Sequence, residues 1–269
     1  MGPFVSHPGL SPGAVEARAY QLQAVDESIS GSMLLVLPTA AGKTAVAWMA
    51  IAERLEVITG WVLVIAPTVA LVNQHLESTA PVLVKRSEVN PISISGQQPV
   101  AKRPGLWSSS RLVFATPQVV RNDVLRGTLS LAECSLLVID EAHHSTGDHA
   151  MAQVAELYIS QSDDPLILAT TASPGSKIGQ VEEVCTRLGI QRIHLRAPDD
   201  PMMAEHLSGL EITETKVEVP DQIRELAEPF RVWQEGIVDH EKRLGRYVMP
   251  GVIGHRGLSN AMERAQAAI

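Results

Sequence analysis

The chain has 269 residues, 45% hydrophobic and 19% charged, which is the balance of a globular protein and excludes a disordered one. A formal net charge of −8 argues against a generally basic nucleic-acid binder, though not against a strand gripped locally by backbone N–H groups. No apolar run reaches the roughly 18 residues of a membrane span, so no membrane partner is expected, and the two cysteines, Cys134 and Cys185, read as free thiols of a reducing compartment.

Residues 1–14 hold Pro3, Pro8 and Pro12 without an apolar core and read as a loose arm rather than a signal peptide. Residues 15–29 are helical in character, and residues 33–37 form a continuous apolar run, as in a strand covered on both faces. A helix from Lys43 to about Leu55 places Val46 and Met49 or Ala50, and Ala47, Ile51 and Leu55, at three- and four-residue spacings. A strand follows at 61–66, a helix at 69–79 and an alternating strand at 91–96. Residues 97–110 read as a polar loop carrying Lys102 and Arg103. Next come a strand at 111–115, a helix opened by Pro117 and running to about 126, and a strand at 136–139 that delivers Asp140 and Glu141. A helix at 150–159 precedes a strand at 165–169 that ends in Thr170, Thr171, Ala172, Ser173 and Pro174. A helix at 178–188 is stopped by Gly189, and a strand covers 190–195.

Beyond a surface connection at 199–209, residues 210–219 alternate apolar and polar, as in a half-exposed edge strand. A helix from Pro220 sets Ile223, Leu226, Ala227, Phe230, Trp233 and Ile237 on one face, with a kink or a break expected at Pro229. Gly251, Gly254 and Gly257 precede a terminal helix. Strands alternating with helices imply an α/β fold whose parallel sheet is sandwiched by helices. Ligands of such sheets collect at the carboxyl ends of the strands.

The chemistry lies at those ends. Pro38-Thr39-Ala40-Ala41-Gly42-Lys43-Thr44 follows a strand and opens a helix. Small residues let successive N–H groups turn toward an anion, and the helix aims its positive end at the same place. Lys43 would reach the outer phosphates of a nucleotide and the Thr44 hydroxyl would ligate Mg²⁺. The full phosphate-loop pattern also wants glycine at position 37, which is Leu37, so an ordinary glycine turn is the alternative. Asp140, at a strand end, suits Mg²⁺ held through water, and Glu141 suits the orientation and deprotonation of an attacking water. Two carboxylates beside a triphosphate make sense only when Mg²⁺ and Lys43 compensate them. A carboxylate cluster at a helix N-terminus is the alternative. Adjacent His143 and His144 are poor partners for one zinc ion. His143 reads as a link from the hydrolytic site to the Thr171 and Ser173 hydroxyls, and His144 and His149 as surface residues.

Taken in order, the segments 38–44, 66–75 (Ala-Pro-Thr-Val-Ala-Leu-Val-Asn-Gln-His), 115–118 (Ala-Thr-Pro-Gln), 140–143 (Asp-Glu-Ala-His) and 171–175 (Thr-Ala-Ser-Pro-Gly) resemble motifs I, Ia, Ib, II and III of superfamily 2 helicases. Gln74-His75, Asn122-Asp123 and Leu188-Gly189-Ile190 narrow the resemblance to the Hef/FANCM/Mph branch. The resemblance implies a RecA-like lobe over 15–219, the start of a helical insertion over 220–269, and an ATP-driven motor on branched or forked DNA in repair. It implies that Thr39, Ala40, Ala41, Gly42, Lys43 and Thr44 hold ATP and that Thr44 and Asp140 hold Mg²⁺. It gives Lys43, Asp140, Glu141 and His143 catalytic roles, sets Thr68, Thr116 and Gln118 near the DNA, and makes Thr171 and Ser173 coupling residues. Gln21 matches an adenine-reading glutamine, with a surface helix residue as the alternative. Arg103 matches a recurring basic position, with a solvated loop residue as the alternative. His144 stands where many relatives carry a basic residue.

Motifs IV to VI have no match after residue 175, so the chain is expected to be a fragment, partnered by a second RecA-like lobe and weak in hydrolysis alone. Its cut insertion is expected to leave apolar surface open to missing helices or to self-association. The resemblance implies an intracellular protein, of the cytoplasm or nucleoid in a prokaryote and of the nucleus in a eukaryote. A non-catalytic scaffold that binds DNA or protein is the alternative, and a small-molecule kinase lacks a recognisable acceptor pocket.

Overall fold

Seven short segments pair side by side, most of them unbroken apolar runs that can bury both of their faces. They are β1 (Met33–Val36), β2 (Trp61–Ile65), β3 (Ile92–Ile94), β4 (Leu112–Ala115), β5 (Cys134–Asp140), β6 (Ile167–Thr171) and β7 (Arg192–Leu195). The computed structural model describes residues 3–85, 89–173, 178–197, 200–204, 220–248 and 253–266. All pairings are parallel, in the order β3-β4-β2-β5-β6-β1-β7. Strand β1 therefore lies between β6 and β7, with Leu35 opposite Thr170 on one side and His194 on the other.

Parallel neighbours require crossovers, and helices supply them. The crossovers are α2 (Lys43–Val57), α3 (Val69–Thr79), α4 (Arg103–Trp107), α5 (Pro117–Leu125), α6 (Ala150–Gln161) and α7 (Ile178–Arg187), while α1 (Ala19–Ile29) precedes β1 and α8 (Pro201–Ala204) follows β7. Alternate strand residues face opposite layers. Leu35, Val64 and Val138 meet Tyr20, Val46, Ile51 and Val72 of α1 to α3. Leu34, Leu63 and Leu137 meet Val120, Val154 and Val184 of α5 to α7. The expected helix-sandwiched parallel sheet is thus the observed one. Cys134 and Cys185 are free thiols, and burial pushes that of Cys134 up to about 12, so it is an inert core group. No helix of the described residues is long and apolar enough to cross a membrane.

Several local expectations are corrected. The amino-terminal segment is not a loose arm over its described part. Phe4 bridges Glu16 and Leu10 bridges Leu83. Leu10 and Val15 are buried, and the N–H groups of Val5 and Ser11 donate to Val15 and Val82 at 2.9 and 2.7 Å. His7 meets Glu53 of α2 at 2.9 Å. The prolines remove donors, but enough backbone groups remain to tie the segment down. For the same reason the first helix begins at Ala19 rather than residue 15, since the Val15 carbonyl and the Ala17 N–H already pair with Val5 and Pro3. Strand β6 runs through Thr170 and Thr171, later than expected.

The polar loop at 97–110 instead holds a helical turn at Val100–Lys102 and α4. Arg103 is no solvated residue: its Nη1 donates to Asp123 of α5 at 2.8 Å, and the two side chains are 7% and 1% exposed. Trp107 Nε1 donates to the other oxygen of Asp123 at 3.0 Å.

The chain divides into Met1–Gly209 and Leu210–Ile269, ahead of the boundary expected at 219/220. The second unit holds α9 (Asp221–Arg243) and α10 (His255–Gln266), with Val238, Tyr247 and Ala261 in a small core. Helix α9 continues through Pro229 without the expected break, and Ile223, Leu226, Phe230 and Trp233 are exposed along it. The expected edge strand at 210–219 lies outside the described residues, as do Pro174, Gly175 and Gly251.

Removing one member of a buried ion pair leaves its partner uncompensated, at about 3–5 kcal/mol. Asp123→Ala is therefore expected to lose about that much stability, read as a lowered urea midpoint at unchanged slope. A shift equivalent to less than about 1 kcal/mol would show the Arg103 charge to be solvated after all.

Candidate nucleotide site

At the carboxyl end of β1 the chain turns sharply. Leu37 is fully buried, and Ala40 and Gly42 take left-handed φ values of 64° and 84°. Such a value at a residue with a side chain costs about 1–3 kcal/mol, so at Ala40 the loop stores strain. At Gly42 a side chain is excluded twice over, because a Cβ there would lie 2.2 Å from Gln21 Nε2 as well as at positive φ. Gly42 caps α2 without a side-chain bond, which leaves the helix start open toward an anion. Lys43 Nζ donates to the carbonyls of Leu37 at 3.1 Å and Pro38 at 3.4 Å. Burial lowers its pKa, although the charges of Glu141 and Asp140 oppose the shift. Its ammonium thus lies over the loop and is drawn toward the two carboxylates.

Gln21 is 2% exposed and is not a surface helix residue. Its Nε2 donates to Ala41 O at 3.2 Å, and the hydroxyl of Tyr20 donates to the same carbonyl at 2.8 Å. Helix α1 is therefore fastened to the phosphate-type loop through two adjacent side chains. The sequence marked Gln21 but gave Tyr20 no role.

Asp140 closes β5 with both carboxylate oxygens engaged. Thr170 Oγ1 of β6 donates to Oδ1 at 2.7 Å, and His75 Nε2 of α3 lies 2.8 Å from Oδ2. Burial raises the Asp140 pKa, but the bonds from His75 and Thr170 outweigh it and hold the carboxyl below the usual range. Glu141 follows at a left-handed φ of 54°, with Oε2 3.3 Å from His143 Nδ1. The same His143 nitrogen lies 3.1 Å from Thr171 Oγ1. Thr171 Oγ1 donates to Ser173 O at 3.0 Å and accepts from Ser173 N at 3.2 Å. The structure places His143 beside the 171–173 segment, but Ser173 joins through its backbone and not its hydroxyl. The ring of His144 lies over that of His143 at 4.2 Å, and His149 accepts from Met151 N at the start of α6. Among the described residues no cluster of three acidic, histidine or cysteine side chains is arranged to hold a metal ion alone.

The other expected residues lie at neighbouring strand ends. Thr68 follows β2, is exposed, and caps α3 by accepting from Leu71 N at 3.2 Å. Thr116 follows β4 but is buried, so of the pair at the start of α5 only Gln118 reaches the surface.

The depressed Asp140 pKa has a pH consequence. Its folded value lies below the unfolded value of about 3.9, so the stabilisation is complete above that value and is lost as pH falls through the folded one. In Asp140→Asn this titration is absent. Its stability deficit against the wild type, measured by urea denaturation, is expected to be largest near neutrality and to narrow as pH falls below about 4. A deficit constant across that range would contradict the assignment.

Residues 18–181, more than half of the chain, match the model of the DEAD/DEAH box helicase family. A Methanocaldococcus jannaschii protein that carries the name of an ATP-dependent RNA helicase is 37% identical over 82% of this chain and 28% of its own length. The Gallus gallus Fanconi anemia group M protein is 32% identical over 89% of this chain and 11% of its own length. The chain thus spans less than a third of either relative. The crystal structure of the Pyrococcus furiosus Hef helicase domain superposes with a TM-score of 0.74 at 30% identity, covering 96% of this chain and 55% of that one. With the loop at 38–44, the Asp140–Glu141 pair and the 171–173 segment converging at one sheet edge, the chain belongs to the DEAD/DEAH box helicase family, on the Hef, FANCM and Mph branch.

Proposed function

We propose that this chain is the ATP-binding first motor lobe of a helicase or translocase that works on forked or branched DNA in repair. The observation that carries the reading is the convergence of Lys43, Asp140 and Glu141 at the carboxyl edge of one sheet, with Thr68 and Gln118 beyond neighbouring strands of that edge. In this reading Lys43 exchanges the carbonyls of Leu37 and Pro38 for phosphate oxygens. The N–H groups at the start of α2 face the same anion, and Gln21 turns from Ala41 to the adenine edge.

The donor set fits a magnesium ion carried in with the nucleotide. Thr44 would offer the ion a hydroxyl and Asp140 would hold it through its waters, and such an ion takes its other ligands from phosphates and water. Bound there, Mg²⁺ supplies charge neutralisation of the outer phosphates. Glu141 is placed to accept a proton from the attacking water, and His143 ties it to Thr171. The arginine that completes phosphoryl transfer in such motors, worth about 10³–10⁵-fold, is proposed to come from a second RecA-like lobe. Turnover by this chain alone is then weak. Thr68 and Gln118 suit backbone phosphate contacts, which need no net positive charge and accord with the overall −8. The location proposed is intracellular, the cytoplasm or nucleoid of a prokaryote or the nucleus of a eukaryote.

Calorimetric titration of the chain with a non-hydrolysable ATP analogue and Mg²⁺ tests the reading. Binding is expected for the wild type, and Lys43→Ala is expected to weaken it about 10–100-fold, the worth of a charged hydrogen bond. Equal affinity in the two proteins would remove the nucleotide-site assignment. Anisotropy with matched forked DNA, linear DNA and RNA duplexes tests the substrate class, with the fork expected to bind most tightly.

A further inference from the structure

We infer that His75 is a positioning residue for the metal-holding carboxylate, fixing Asp140 in the plane its magnesium-bound waters require; this rests on the nucleotide-site reading above. An aspartate carboxylate rotates in a broad well about its last torsion, so burial alone does not fix its plane. Two directional donors do. Thr170 Oγ1 holds Oδ1 at 2.7 Å from β6, and His75 Nε2 holds Oδ2 at 2.8 Å from α3. The two oxygens have four lone-pair sites, and the donors from His75, Thr170 and the Glu141 backbone leave at least one for a metal-bound water.

Helix α3 is itself well placed to act as a fixed mount. Thr68 caps its start, and Thr79 in its last turn accepts from Trp48 Nε1 of α2 at 3.0 Å. His75 and Thr79 are four residues apart and lie on one face of the helix. That face meets both the catalytic carboxylate and the helix that begins at Lys43. His75, Asp140 and Thr170 line a cavity of about 20 Å³ together with Lys43, Thr44 and Trp48, room for about one water. The His75 and Asp140 side chains are 18% and 16% exposed, so bulk water does not compete freely for their bond. The nucleotide-site reading assigns His75 no contact of its own with the nucleotide. Its effect passes through Asp140.

The test is the metal dependence of nucleotide binding, not turnover. A non-hydrolysable ATP analogue is titrated into the chain with Mg²⁺ and again with EDTA, and the ratio of the two affinities is the readout. Loss of a residue that orients a metal-holding group typically costs 10–100-fold, so His75→Ala is expected to lower the ratio by about tenfold or more while leaving the EDTA affinity in place. His75→Gln, whose carboxamide donates over a similar reach, is expected to recover most of the ratio. A full wild-type ratio in His75→Ala overturns the inference. So does an equal loss in both buffers, which marks a packing role, or a wild-type ratio of one. Wild-type protein that binds nucleotide in neither buffer overturns the site reading itself, so the two failures are distinct.

Discussion

A strand with both faces buried keeps its place only if both of its edges are hydrogen-bonded, and β1 meets that condition by lying between β6 and β7. Everything at the site follows from this. Because β1, β5 and β6 run parallel, their carboxyl ends open on the same edge. The loop after Val36, the carboxylates after Ile139 and the threonines of β6 then converge without any long excursion of the chain. The two helical layers seal the faces, so the charged groups meet where apolar cover ends.

At that edge the electrostatics are finely opposed. Burial disfavours charge on both Lys43 and Asp140, and each is offset differently. Asp140 gains from His75 and Thr170 enough to remain a carboxylate below its usual range. Lys43 gains only the distant pull of Glu141 and Asp140 and two backbone carbonyls, so its pKa stays lowered. The acceptors nearest the ammonium are weak and neutral, a setting in which an arriving phosphate oxygen is the better partner.

Much of this was legible from the residues in order. Apolar runs gave the strands, and Gly42-Lys43-Thr44 and Asp140-Glu141 stood out because chemistry-bearing residues followed such runs directly. What escaped was every feature made by residues distant in the chain whose local pattern is ordinary. His75 is one polar position of an amphipathic helix, and only the fold sets it against Asp140. Arg103 and Asp123 look like solvated charges until α4 and α5 bury them together. The prolines near the amino terminus suggested looseness, and the anchoring came instead from Leu10 and Val15. Gln21 was recognised by its neighbours, but its burial depended on a loop at residues 40–42. Thr116 was set near the DNA by resemblance, and only the fold shows it buried.

The place of β1 also bears on how the chain is made. Synthesis delivers the amino terminus first, and domains form as their residues emerge. Strands β2 to β5 can pair among themselves as soon as they appear, but the partners of Met33 are Leu168 and Arg192. The apolar strand that carries the loop at 38–44 therefore leaves the ribosome well before both of its strand partners and is among the last of the seven to be enclosed. In the interval both of its edges are unpaired, which is the condition under which a nascent chain most needs a chaperone.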